Sequence, residues 1–377
     1  MLFATAELGR SKTRFGFLTL GAGLLVFVLL FQQALLAAVL DGMSGALRHQ
    51  TGPVLVYARE AQRSFAGSLV TQQQIDEVAA ADGVADSGEM AITLLSFRTP
   101  DSDERVNASF IGYRPGKPGA PMNLVQGRLP QDVDELVASA EDAAGYYGVG
   151  ETVVVEPGDR EMRVVGLTEG GRFNVGTTMW TPWDTYLELV AAAAPDIPFV
   201  LPSALAVQPD PGVDPGELTE RLNEQFPQLE ALTREDAADL IPGRDAVQLA
   251  FTAVMALGYL VVAVVIAFFF LTMTLQKESS TTLLRAVGAR GNYLVRCLLY
   301  QVAVVTAGGL AIGTLLMLVS APLLGSTVSV KVDPVVILST AVPALAVALL
   351  GAIPPLRRLL KADPYDVVGR PSLGGLG

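Results

Sequence analysis

Apolar positions concentrate in four stretches that hold no charged side chain, at 15–40, 247–275, 298–324 and 335–353. Each approaches or exceeds the roughly 20 residues that a helix needs to cross a hydrocarbon core. The first is interrupted only by Gln32 and Gln33, and Arg10, Lys12 and Arg14 precede it. It is longer than the apolar core of a cleaved leader and no clean small-x-small site follows it, so a retained span is expected.

The segment between the first and second runs has a different texture. Pro53–Ala58, Met90–Arg98 and Arg105–Tyr113 read as strands, and Thr71–Ala81 reads as a helix with Thr71 as its N-cap. After an insertion, Ser203–Gln208 predicts a strand, Pro215–Phe226 a helix and Leu229–Thr233 a strand. The order strand-helix-strand, insertion, strand-helix-strand fits a split ferredoxin-like layer. Within the insertion, two β-branched runs, 152–156 and 161–167, flank Pro157-Gly158 and predict a hairpin. Leu36–Gln50 and Glu235–Asp245 are expected to prolong their spans outward as a stalk, the second kinked at Pro242-Gly243. The fold class expected is therefore an α-helical membrane protein with four transmembrane helices and a large α+β extracytoplasmic domain between helices 1 and 2. That domain combines a split ferredoxin-like layer with a β-rich insertion.

Charge sets the topology. The 377 residues carry a net −12, yet the block from Asp41 to Asp245 holds 33 acidic and 14 basic residues, while the rest holds 5 acidic and 12 basic. Basic residues collect before the first span, between the second and third (Lys277, Arg285, Arg290, Arg296) and after the fourth (Arg357, Arg358, Lys361, Arg370). By the positive-inside rule these three segments face the cytoplasm and both termini lie inside. The expected division is 1–14 cytoplasmic, 15–41 first span, 42–246 outer domain, 247–275 second span and 276–297 cytoplasmic loop. It continues with 298–324 third span, 325–334 outer loop, 335–353 fourth span and 354–377 cytoplasmic tail. The acidic block would repel phosphate, which argues against nucleic acid as a partner.

Motifs for autonomous chemistry are missing from the sequence. There is no GxxxxGK[ST] phosphate loop, no G-x-S-x-G elbow, no HExxH and no CxxC. A single Cys, Cys297, and a single His, His49, exclude a disulfide framework and a zinc cluster of His and Cys. No catalytic, cofactor-binding or metal-binding residue is expected. The spans lack a central charge, which disfavours ion-coupled transport and implies energy delivered from elsewhere. Gln32, Gln33 and Gln301 are their most polar residues, and Gly309-xxx-Gly313 permits a close helix contact.

The segment Gln276–Arg296, QKESSTTLLRAVGARGNYLVR, places Leu283, Leu284 and Val287 on one apolar face with Arg285 beside it and Gly288 as a stop. Such a helix lies on the inner membrane surface and can press on a cytosolic partner. Leu284-Arg285-Ala286-Val287-Gly288-Ala289 resembles the LRAxGA signature of the FtsX/MacB permease family, the membrane subunits of type VII ABC transporters. The resemblance covers essentially the whole chain. Gly127-Arg128-Leu129-Pro130 and Val164-Val165-Gly166-Leu167 are similar to recurring pieces of the family's outer domain, and Leu359–Val368 to its tail. The family's glutamate five positions before the arginine is Ser280 here. Phe31-Gln32-Gln33-Ala34-Leu35 and Asp82-Gly83-Val84 resemble the DevC-type and haem-exporter-type branches.

The resemblance implies a permease subunit in a bacterial cell membrane, not an enzyme by itself. Its partners would be a separate MacB/FtsE-like ABC ATPase that binds ATP and Mg, a second permease copy or paralogue, membrane lipids and an extracytoplasmic partner. Leu283, Leu284, Arg285, Val287 and Gly288 would couple to the ATPase. A hydrophobic or amphipathic cargo would leave from the outer side of the membrane. Phe27, Phe31 and Gln32 with Phe251 and Met255 are expected to line a lateral cleft for it, because aromatic, Met and Gln side chains suit an amphipathic ligand. The alternative output is FtsX-like regulation of an extracytoplasmic cell-wall hydrolase.

Overall fold

A computed structural model describes residues 12–276, 291–324, 334–353 and 357. The chain divides into two units: Met1–Leu36, Leu249–Leu324 and Val330–Gly377 form one, and Ala37–Gln248 with Gly325–Ser329 the other.

The first unit is built from long apolar helices. α1 (Lys12–Arg48), α7 (Arg244–Gln276) and α8 (Gly291–Leu324) contain three segments long and apolar enough to cross a membrane, Phe15–Arg48, Arg244–Gln276 and Val295–Ser320. The fourth expected span coincides with α9 (Pro334–Gly351), an apolar helix of 18 residues with Pro343 inside it, shorter than the other three. Phe15, Leu18, Ala22 and Leu29 of α1 pack with Val262, Ile266 and Phe270 of α7, Leu298, Val302 and Val305 of α8, and Ala348 of α9. Large side chains such as Phe17, Val28, Phe268 and Leu315 face outward, as a lipid solvent permits. Small residues set the α1–α8 distance. A Cβ on Gly309 would meet Ala22 Cβ at 2.9 Å, and one on Gly313 would meet Gly23 O and Phe27 N at 2.9 Å. The expected contact at Gly309-xxx-Gly313 is thus made with α1, where bare backbone substitutes for side-chain packing.

The second unit holds a mixed sheet. Its strands are β1 (Val54–Ala58), β2 (Val84–Arg98), β3 (Val106–Tyr113), β4 (Leu124–Gly127) and β5 (Glu135–Ser139). β6 (Thr152–Glu156), β7 (Arg160–Thr168), β8 (Thr177–Pro182), β9 (Ala204–Pro209) and β10 (Leu229–Thr233) complete it. Helices α2 (Gln72–Ala79), α3 (Ala143–Tyr146), α4 (Trp183–Ala193), α5 (Pro215–Gln225) and α6 (Arg234–Asp239) intervene. Order β10-β1-β9-β2, antiparallel throughout, is the fourth-first-third-second arrangement of a ferredoxin-like layer. Its helices start where the sequence signals them. Thr71 and Gln74 form a reciprocal capping box on α2, and Asp214 caps α5 ahead of Pro215. Ile75, Val78, Leu218 and Leu222 of these helices cover one sheet face through Val54, Val56, Leu205 and Val207.

The insertion is more than a hairpin. β2 runs 15 residues, leaving β9 to pair with β6 at Ser96–Arg98. β3 pairs with β8, β8 with β5, β5 with β7 and β7 with β6. The path returns to β2 and closes a small barrel, which removes exposed strand edges. Leu95, Phe97, Phe110, Leu136, Val153, Met162, Val164 and Met179 fill it. Period-two positions on each strand supply this core, as a packed barrel requires.

Candidate functional site

The coupling residues Leu283, Leu284, Arg285, Val287 and Gly288 lie outside the described residues. α7 ends before them at Gln276 and α8 begins after them at Gly291. Of the expected cleft, Phe27 and Phe31 stack on each other at 6.3 Å and pack against the cluster of Val26, Leu30, Ala34 and Met317, alongside Leu310 and Ile337. Gln32 is half-buried on the same helix. Phe251 and Met255 are half-buried on α7. Among the described residues no hydrophobic cluster joins these two groups.

The strongest construction is at the C-terminal end of α1, in the second unit. The helix has 37 residues, about 55 Å of unbroken rod at the α-helical rise. Its last turns belong to the second unit's core: Ala46 and Leu47 are buried with Tyr57, Phe65, Phe173 and Trp180. Main-chain bonds fix them to the loop between β7 and β8, with Ala46 N donating to Arg172 O at 2.8 Å and Val175 N to Gly42 O at 2.7 Å. Glycine is required here, because a Cβ on Gly45 would collide with Gly170 O. His49 Nδ1 lies 2.9 Å from Gly170 O and 3.1 Å from Gly45 O, so the single histidine is committed to main-chain carbonyls. Beyond it, Met122 N donates to His49 O at 2.8 Å.

The chain reaches the second long helix through a break. α6 stops at Asp239, Gly243 adopts φ +87°, and α7 begins at Arg244, so Pro242-Gly243 separates two helices where the sequence predicted a kink in one. A charged clasp bridges the break to α1. Asp239 Oδ1 accepts from Arg48 Nη2 at 2.6 Å and lies 3.0 Å from Arg244 Nη2. Arg244 Nη1 donates to Leu40 O at 3.1 Å and to Ser44 Oγ at 3.4 Å. Arg234 adds a bond from Nη1 to Gln50 O at 3.1 Å. Arg244 is mostly buried, its side chain 16% exposed, which raises the value of these bonds over that of an exposed pair. Neither Arg48, Asp239 nor Arg244 was singled out by sequence. Their signal is positional: charged residues on the two stalk segments that the topology requires to meet.

The two outer-domain motifs prove to be one junction. Gly127 (φ +78°) and Gly166 pair across β4 and β7, where a Cβ on Gly127 would strike Val165 O. Arg128 holds Glu135 through two bonds of 2.7 Å, Arg163 adds one of 2.7 Å, and Gln131 N donates to the same carboxylate at 3.0 Å. Arg128 foremost, then the Gln131 amide and Arg163, hold the Glu135 carboxyl far below the usual carboxylate range against the opposing pull of burial. These bonds pin β4 and β5 to the barrel.

Residues 252–364 match the FtsX-like permease C-terminal family. A candidate hemin transport system permease protein, HrtB, of Staphylococcus epidermidis is 19% identical over 92% of this chain and 95% of its own length. An uncharacterized ABC transporter permease of Mycobacterium bovis is 26% identical over 81% of each chain. Among solved structures, the extracellular domain of the noncanonic ABC-type transporter YknZ from Gram-positive bacteria aligns at 16% identity and TM-score 0.32, covering 48% of this chain and 98% of that one.

Proposed function

We propose, from the premise that this chain is an FtsX-like ABC transporter permease, that it relays the work of a separate ATPase into its outer domain to expel a hydrophobic or amphipathic cargo. The observation that carries the reading is α1, which runs from Lys12 in the first unit to Arg48 in the second, where its residues Ala46 and Leu47 are buried in the core. The sequence holds no phosphate loop, so ATP and Mg would be bound by the partner. In this reading the partner presses on the segment 276–297 through Leu283, Leu284, Arg285, Val287 and Gly288, at the cytoplasmic end of α7. α7 and α1, clasped at Asp239, then carry the displacement outward.

The same reading assigns four spans, with α9 as the fourth, both termini inside, and 42–246 as the outer domain in a bacterial plasma membrane. A second copy or paralogue completes the permease. Phe27, Phe31 and Gln32, with Phe251 and Met255, offer cargo a lateral route from the outer leaflet. The charge division along the chain supports the orientation. Single cysteines at Ser102 and Ser279 in a Cys297→Ala background would label oppositely with a membrane-impermeant thiol reagent.

The name of the staphylococcal relative makes hemin a rational first cargo to test. A deletion strain should become sensitive to hemin or to other amphipathic compounds, and complementation should restore resistance. Phe31→Ala, Gln32→Ala and Phe251→Ala should each reduce that resistance at normal expression. A deletion strain with unchanged resistance and a cell-separation defect would instead favour regulation of a cell-wall hydrolase.

A further inference from the structure

A pocket of about 430 Å³ opens in the outer unit where Arg59, Gln62, Arg63, Glu230, Leu240 and Pro242 meet. The outer block is strongly acidic, and nearly all of its cations are consumed by carboxylates. Among the described residues of this unit, Arg59 and Arg221 are the basic residues outside any ion pair. Arg59 directs Nε and Nη2 to Leu229 O at 3.2 and 2.8 Å, which fixes the guanidinium without neutralising it. Arg63 is paired through Nε alone, 2.8 Å from Glu230 Oε1.

The backbone is unusual at the same place. Gln62 and Arg63 have φ of +50° and +65°, two consecutive non-glycine residues in the left-handed region. Such a conformation is unfavourable for a residue that carries a Cβ and persists where the surrounding structure imposes it. Leu240, 42% exposed, and Pro242 supply an apolar wall. Pro242 stands two residues before α7, the helix that carries the second apolar run. A charged fork beside an apolar wall, close in sequence to a span, matches the two ends of an acidic amphiphile.

We infer that this pocket binds the anionic headgroup, carboxylate or phosphate, of an amphiphile whose apolar part follows Leu240 and Pro242. Arg59 is the standing cation, and Arg63 becomes available as the headgroup competes with Glu230 for it. The inference draws its biological sense from the permease reading, whereas the binding itself needs no ATPase.

The test uses the full chain in dodecyl maltoside micelles, with binding read by native mass spectrometry. The probes are dodecyl phosphate, dodecanoate, uncharged dodecanol and inorganic phosphate. Dodecyl phosphate and dodecanoate should bind, each at least about tenfold more tightly than dodecanol or inorganic phosphate. Arg59→Gln removes a guanidinium that no carboxylate needs, so the variant should fold normally and bind dodecyl phosphate about tenfold more weakly. Glu230→Gln frees Arg63 and should strengthen binding. Equal affinity for dodecanol, full binding by Arg59→Gln, or weakened binding by Glu230→Gln overturns the inference. Inorganic phosphate binding as tightly as dodecyl phosphate overturns the amphiphile and leaves a free-oxyanion site. Each result stands apart from whether an ATPase accompanies the chain, so failure of the pocket and failure of the permease reading are distinguishable.

Discussion

Arg244, the first residue of α7, donates from Nη1 to the main-chain carbonyl of Leu40 on α1 at 3.1 Å. Leu40 lies eight residues before the end of α1, and the same Nη1 reaches the Ser44 hydroxyl one turn further on at 3.4 Å, so the arginine ties one long helix to the other through a main-chain carbonyl and a side chain of α1. Asp239 completes the tie by holding Arg48 and Arg244 at once. The C-terminal end of α1 and the N-terminal end of α7 are therefore joined within the second unit.

Breaking that tie should uncouple without unfolding. Arg244→Ala removes the bonds to Leu40, Ser44 and Asp239, leaving Asp239 half-exposed and still paired with Arg48. The stability loss should be about 1–2 kcal/mol, and transport at normal membrane levels should fall severalfold. Thermal unfolding in detergent and a resistance assay in cells separate the two effects. Arg244→Lys keeps the charge but not the fork, and should restore only part of the activity.

The α1–α8 contact depends on the absence of side chains. Gly313→Leu would drive a branched side chain into Gly23 O, Phe27 N and Val26, where even a Cβ meets atoms at 2.8–2.9 Å. Loss of about 1–2 kcal/mol of helix association is expected, seen as a lower unfolding temperature and lower steady-state levels. Gly16 and Gly21 have open space at the Cβ position, and alanine at either should be tolerated.

Acid should loosen the barrel at a predictable place. Glu135 is depressed in the folded state, so its contribution to stability is fully present above the unfolded-chain value near 4.5 and is lost as pH falls below it toward the folded value. Unfolding of the full chain in detergent should grow easier as pH drops below about 4.5. Glu135→Gln should cost about 2 kcal/mol at neutral pH, because Arg128 and Arg163 lose their shared partner, and should flatten the acid limb.

Much of this architecture is readable in the sequence, and the exceptions have physical reasons. The helix cap at Thr71, the helix that starts at Pro215, the hairpin of β6 and β7 and the strand 229–233 follow directly from local signals. β5 and β8 escape notice because both are short and buried along nearly their whole length, which erases the alternation that marks a half-exposed strand. β4 escapes for the opposite reason, since all four of its residues are exposed. Barrel closure rests on β6 meeting β2 across more than fifty residues, a pairing no local pattern encodes. The clasp was hidden for a related reason: Asp239 is one of 33 acidic residues in its block, and only its neighbours distinguish it.

Arg285 should matter through charge as well as position. It stands among Leu283, Leu284 and Val287 in the segment that joins the second and third apolar runs. Arg285→Glu should leave insertion intact while lowering transport at least about tenfold, as expected for reversing the charge at the proposed ATPase contact. Membrane fractionation and the resistance assay check the two halves of that statement.

The central claim is that this chain is driven by an ATPase it does not contain. The most direct measurement is affinity purification of the chain from its native membrane, followed by identification of its partners and assay of ATP hydrolysis in the purified complex. The account predicts an ABC ATPase in stoichiometric amount, with hydrolysis in the wild-type complex that Arg285→Glu reduces. Recovery of the intact chain with no nucleotide-binding subunit, from membranes in which it supports full resistance, would contradict it.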